Sequence, residues 1–169
     1  WQRIENIFES EGYDSDEVKA VINASGINEL KCIGSLRTKL EALRNVGRKG
    51  DFSSVAAVFK RINNIISQAK KQNIGISRAV NENLLTEDAE KTLYAAAKKA
   101  KEEIENCVLV NEYDRIFSKV SEIKPAIDSF FEKVMVMAED DAVKLNRVSL
   151  LSYIKNMFAG FVDFSVLRH

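Results

Sequence analysis

The sequence predicts an all-α protein: a bundle of about seven helices, with a small helical lead-in at its N-terminus. Three observations carry that expectation. Ala, Leu, Lys, Glu and Ile, all tolerant of or favourable to helix, are prominent throughout. One proline and seven glycines are all the punctuation in 169 residues. Apolar residues recur at spacings of three and four, and no stretch sustains the alternation of a half-buried strand. An apolar share of 46% supports a folded core, while no run approaches the ~20 apolar residues that span a bilayer. No membrane association is expected.

The lead-in is residues 1–50. Residues 2–11 place Ile4, Ile7 and Phe8 on one stripe, stopped by Gly12. Asp14, with Glu17 three residues on, starts a second helix that turns Val18, Val21 and Ile22 inward and ends near Ser25-Gly26. Asn28 caps a third, with Leu30, Ile33, Leu36 or Arg37, Leu40 and Leu43 on its inner face. Gly47 and Gly50 bracket Arg48-Lys49 as a flexible basic turn.

The main helical domain is residues 51–169. Asp51 caps the fourth helix, which buries Val55, Val58, Phe59, Ile62, Ile65, Ile66 and Ala69 at a 3.6-residue period. Lys60, Asn64, Ser67 and Lys71 fall on another face, flanked by Arg61 and Gln68. Residues 72–85 lose the pattern and read as a loop with one turn of helix. Thr86 caps a long fifth helix with an Ala-rich stripe of Ala89, Leu93, Ala96, Ala97, Ala100, Ile104 and Cys107, small enough for close approach to a neighbour. A sixth helix runs from about Asn111 to Glu122, and Pro125 breaks it or opens the next. The most apolar long segment follows, with Ile127, Phe130, Phe131 and Val134 inward and Met135 and Met137 as core filler. Glu139-Asp140-Asp141 suits the positive end of a last helix or pairs with Lys144 and Arg147. That helix buries Val143, Leu150, Leu151, Ile154, Met157, Phe158 and Phe161, and Asp163 caps a final turn.

Net charge is zero, with 25 basic and 25 acidic residues, but the charge is segregated. Residues 1–30 hold two basic against seven acidic residues, net −5; residues 31–75 hold ten against two, net +8; residues 76–169 hold 13 against 16, net −3. A basic block of this size attracts a polyanion, or else pairs with the acidic flanks in the fold. Cys32 and Cys107, far apart in sequence, read as two buried thiols in a reducing cytoplasm. The single histidine, His169, is terminal, so acid/base, nucleophilic and metal chemistry built on histidine is excluded. No glycine-rich phosphate loop is present. No catalytic, cofactor or metal site emerges. The chain starts at Trp1 without Met and reads as an excised piece.

Several motifs in order carry a resemblance. They are Asp51-Phe52; Ala57-Val58-Phe59-Lys60-Arg61-Ile62-Asn63-Asn64-Ile65; Glu87-Asp88-Ala89-Glu90-Lys91-Thr92-Leu93-Tyr94; Tyr113 ahead of Pro125; Asp128-Ser129-Phe130-Phe131-Glu132-Lys133-Val134-Met135-Val136-Met137; Asn146-Arg147-Val148-Ser149-Leu150-Leu151; and Val162-Asp163-Phe164-Ser165. Together they resemble the C-terminal anticodon-binding domain of bacterial-type glycyl-tRNA synthetase beta subunits. That is the all-helical DALR class found also in arginyl-tRNA synthetases. Residues 1–46 look like the helical segment preceding that domain. The chain departs from the family's usual Asp-Glu-Ala-Leu-Arg with Asp140-Asp141-Ala142-Val143-Lys144, keeping charge but not the planar fork of Arg.

The resemblance implies a tRNA-binding part of a cytoplasmic glycine–tRNA ligase. The fragment would have no cofactor of its own, and ATP would be used by the parent enzyme. Aminoacylation would belong to an alpha subunit, in a tetramer of two alpha and two beta chains. Lys60, Arg61, Asn64 and Lys71 are the first candidates for tRNA contact, because Lys and Arg neutralise phosphates and Asn and Arg read exposed base edges. Arg48 and Lys49 are second candidates; Lys70 and Arg78 are weaker. Tyr94, Tyr113 and Tyr153 either stack on unpaired bases or pack half-buried. Arg147 is expected to be structural, paired with Asp128, Asp140 or Asp163. The alternative function is a helical module whose basic strip docks an acidic surface of a partner subunit.

Overall fold

In the computed structural model, residues 1–26, 32–49, 52–77, 79–109 and 111–167 are described, the side chains of Arg48, Lys49, Phe52 and Leu109 excepted. Among them run seven α-helices: α1 (Gln2–Ser10), α2 (Ser15–Ala24), α3 (Ile33–Lys49), α4 (Phe52–Lys71), α5 (Asp88–Leu109), α6 (Tyr113–Lys133) and α7 (Asp141–Phe158). Short 3-10 turns stand at Glu82–Leu84 and Phe164–Val166. No strand occurs among the described residues. The caps expected at Asn28 and Asp51, with Leu30, Gly50, Arg78 and His169, lie outside them.

Local chemistry explains the helix ends. Asp14 accepts from the Asp16 amide at 2.8 Å and Asp140 from the Val143 amide at 2.9 Å, each satisfying an orphan donor of a first turn. α1, α4 and α5 end alike. Gly12 (φ 86°), Asn73 (φ 57°) and Asn111 (φ 56°) take the left-handed conformation. The next amide then reaches back to close the end: Tyr13 to Phe8, Ile74 to Ala69 and Glu112 to Cys107, at 3.1, 2.9 and 3.0 Å. This is the Schellman closure, for which Gly and Asn are suited because they tolerate positive φ.

One hydrophobic core runs from Phe8 to Leu167. α5 lies along α6 through Ala89, Leu93, Ala97 and Ala100, all buried. α4 packs on α7 and on the last 3-10 turn. There Phe59 meets Phe158 edge-on with ring centroids 5.7 Å apart, and Phe164 at 4.3 Å. Each such ring contributes roughly 1.5–3 kcal/mol by burial. The lead-in is tied to this core through α3 on α6, and by the Asp163 amide donating to Ala20 O at 2.8 Å. Lys39 is 1% exposed; its ammonium donates to Gly160 O at 3.0 Å and lies 5.6 Å from the ring centroids of both Tyr113 and Phe161.

Several expectations are corrected. Pro125 neither ends nor begins a helix but sits inside α6. It and Ser121, whose carbonyl loses its partner, are on the exposed side, while Val120, Ile123, Ile127 and Phe130 bury the opposite face. Packing on that face outweighs the lost hydrogen bond. The Gly47–Gly50 turn is replaced by helix through Gly47, Arg48 and Lys49. Met135 is no core filler: it is 74% exposed, at the corner between α6 and α7 where the chain leaves the helix. Ile7 and Ile33 are exposed near helix starts or ends, and Cys32, expected buried, is exposed while Cys107 is buried.

Candidate nucleic-acid interface

Two polar features rise from the fold: an outward strip on α4, and a buried polar latch on α7. The α4 strip exists because twenty residues alternate faces at 3.6 per turn. Val55, Ala56, Phe59, Ile62, Ile66 and Ala69 are held inward by α7 and the Phe164 turn, which forces Lys60, Arg61, Asn64, Ser67, Gln68, Lys70 and Lys71 into solvent. Many other cations of the chain are paired. Lys98 bonds Glu82 at 3.1 Å, Lys124 bonds Asp128 at 2.6 Å, Lys144 bonds Asp141 at 2.7 Å, and Lys119 contacts Glu103 and Glu122. Among the described residues no carboxylate pairs with Lys60, Arg61, Lys70 or Lys71. Their field is therefore left outward, where an anion can meet it.

Arg61 is nonetheless positioned. Its guanidinium lies 4.1 Å from the ring centroid of Phe131 on α6, a cation–π contact that fixes the side chain while leaving it exposed. The structure therefore brings Lys60, Arg61, Asn64 and Lys71 onto one helix surface. Arg48 and Lys49 close α3, and their side chains lie outside the described residues. The three tyrosines are half-buried and engaged: Tyr94 with Tyr153 at 5.9 Å, and Tyr113 with Phe161 at 6.4 Å.

The latch on α7 consists of Asn146, Arg147 and Ser149, all buried. Arg147 Nε donates to Glu90 Oε1 at 2.5 Å, Nη1 to Met135 O at 2.8 Å, and Nη2 to Thr86 Oγ1 at 3.3 Å. Asn146 Oδ1 accepts from the Asn81 amide at 2.8 Å, and its Nδ2 donates to Asn81 O at 3.0 Å. Ser149 Oγ accepts from the Ser77 amide at 3.0 Å. The partner expected for Arg147 was Asp128, Asp140 or Asp163, and this is corrected. Asp128 pairs with Lys124, Asp140 caps α7, and Asp163 accepts from Ser165. Each is taken by a neighbour two to four residues away, leaving Arg147 to a carboxylate on another helix.

Glu90 is the residue that sequence reasoning missed. It is fully buried, and its Oε2 accepts from the Glu87 amide at 2.8 Å and the Thr86 hydroxyl at 3.2 Å. So the start of α5 is capped by Glu90 reaching back, and Thr86 donates to it. Burial pushes the Glu90 carboxyl upward, but the Arg147 hydrogen bond, the Glu87 and Thr86 bonds and the Arg147 charge outweigh it, leaving it below the usual carboxylate range. The signal was present: Glu90 shares a stripe with Leu93 and Ala97, and a carboxylate on an apolar stripe requires a buried cation.

The chain as a whole is similar to known proteins. The model of the DALR anticodon binding domain matches residues 55–164. Among curated relatives, the glycine–tRNA ligase beta subunit of Acidobacterium capsulatum is 37% identical over 158 residues, covering 91% of this chain and 22% of that protein. That of Nitratidesulfovibrio vulgaris is 34% identical over 167 residues, 98% of this chain and 23% of that protein. That of Alteromonas mediterranea is 44% identical over 116 residues, 68% of this chain and 16% of that protein. The chain thus spans about a fifth of the length of these relatives.

Proposed function

The chain belongs to the DALR anticodon binding domain family, and on that premise we propose that it binds the anticodon region of glycine tRNA as part of a glycine–tRNA ligase beta subunit. The observation that carries the reading is the unneutralised strip Lys60, Arg61, Asn64 and Lys71 on α4. Cations release condensed counterions when they meet phosphates, and Asn and Arg can contact base edges of a single-stranded loop. The domain's role is recognition; activation of glycine with ATP and its transfer to tRNA belong, in this reading, to the rest of the enzyme. The proposal extends to an alpha partner, an assembly of two alpha and two beta chains, and a cytoplasmic setting. No helix among the described residues is long and apolar enough to cross a membrane. The comparisons give no support to the same strip serving instead to dock a partner subunit.

The test is a titration of the chain with glycine tRNA and with an anticodon-swapped tRNA at two salt concentrations. Binding should favour the native anticodon and weaken with salt. Lys60→Glu should weaken it and reduce the slope of log K against log salt by about one or more. Equal affinity for both tRNAs, or a slope untouched by Lys60→Glu, would overturn the reading.

A further inference from the structure

A cleft of about 470 Å³ opens beside the α4 strip, between the end of α2, α4, the C-terminal turn of α7 and the Phe164 turn. Its size falls within the ~300–1,000 Å³ of small-ligand sites. Phe59 and Phe164 supply apolar lining, and Asn63, Ser67, Lys155 and Asp163 supply polar groups. Three features single it out. Ser67 belongs both to the basic strip and to the cleft wall, so the two are continuous on one helix. Asn63 Oδ1 is buried and has no hydrogen-bond partner among the described residues, an acceptor that costs free energy until a donor reaches it. Lys155 is in no ion pair among the described residues, and Asp163 already accepts at Oδ1 from Ser165 N and Oγ at 3.0 and 2.5 Å.

We infer that this cleft receives one unstacked nucleotide of the anticodon loop, base inward. The inference rests on the proposed anticodon binding. The orientation follows from charge. The Asp163 carboxylate opposes a phosphate in the cleft and suits the amino edge of a base, while Lys155 and the α4 cations suit the flanking phosphates. Asn63 reads that amino edge after rotation about its soft terminal torsion. The neighbouring Phe59–Phe164 pair gives the base a dry boundary.

The test uses the 169-residue chain and the anticodon stem-loop of glycine tRNA, intact and with an abasic site at each loop position in turn. Stacking and edge contacts to one base are worth about tenfold or more in affinity. Asn63→Leu is expected to weaken binding by about that factor with the salt slope unchanged. One abasic position should then lose affinity in the unaltered chain but lose nothing further in Asn63→Leu. Lys155→Gln should weaken binding severalfold and lower the slope; it decides the matter should Asn63→Leu melt early. If both variants bind as the unaltered chain does, and no abasic position couples to either, the cleft is not the base site, though the α4 reading stands. If the unaltered chain shows no anticodon-dependent binding, both fall.

Discussion

The Arg147 guanidinium on α7 and the Glu90 carboxylate on α5 meet at 2.5 Å, fifty-seven residues apart in sequence and both buried. The pair does more than neutralise charge. Through Thr86 and Met135 O it also holds the entry to α5 and the corner between α6 and α7.

Arg147→Ala should therefore destabilise the fold sharply, because it strands a buried carboxylate. Breaking one side of a buried pair costs about 3–5 kcal/mol, and a chain of this size loses about 2–4 °C per kcal/mol. A drop in melting temperature on the order of 10 °C is expected by circular dichroism. Intact stability with lost tRNA binding would instead make Arg147 a ligand contact.

The same pair sets a pH dependence. The folded pKa of Glu90 lies below its ordinary value, so the unfolded chain binds more protons in acid. The pair's contribution is complete above the unfolded Glu value of ~4.3 and disappears as pH falls through the lower folded value. Urea midpoints measured from pH 6 down to pH 3 should fall more steeply for the native sequence than for Glu90→Gln. Parallel curves would show that Glu90 does not carry the acid sensitivity.

How much of this was legible turns on range. Period and caps act within four residues, so Asp14, Gly12 and Asp163 could be read directly, as could the outward run Lys60, Asn64 and Lys71. What depended on distant neighbours could not. Pro125 survives inside α6 because Ile123, Ile127 and Phe130 pack on other elements. Lys39 is buried because the Gly160 carbonyl and the Phe161 ring from the far end of the chain, with the Tyr113 ring at the start of α6, surround it. Met135 is apolar yet exposed because the helix ends two residues earlier. The proposed anticodon-loop function was suggested by motif order, not by any one residue's chemistry.

Asn146 offers a separable test of the loop before α5. Its side chain takes both backbone groups of Asn81. Each such bond is worth ~1 kcal/mol net, so Asn146→Leu should cost about 2 kcal/mol. It should also raise amide exchange at Ser77 and Asn81 selectively, and leave exchange in α6 unchanged. Uniform acceleration would mean that the loop is no independent unit.

Phe131→Ala tests whether Arg61 must be held in place. An exposed cation–π contact is worth about 0.5–1 kcal/mol. Losing it frees Arg61 without removing its charge. Under the proposed function, tRNA affinity should fall severalfold while the salt slope stays constant, since the number of phosphate contacts is unaltered. An unchanged affinity would show that the ring only packs.

Pro125→Ala should stabilise the protein, although it alters the chain's only proline. In a helix interior proline is about 3 kcal/mol less favourable than alanine, through its missing N–H and its clash with the preceding turn. Here the missing bond is to Ser121 O, and both residues lie on the exposed side, so alanine restores the bond without disturbing the buried face of Ile123, Ile127 and Phe130. Part of the gain is offset because alanine leaves the unfolded chain freer, by roughly 0.4–1 kcal/mol. The net expectation is a rise of about 2 kcal/mol in unfolding free energy, read as a higher urea midpoint at constant slope. A lower midpoint would mean that α6 relies on the distortion proline imposes to seat its aromatic end against α4, and that the helix is shaped for packing at the expense of its own hydrogen bonds.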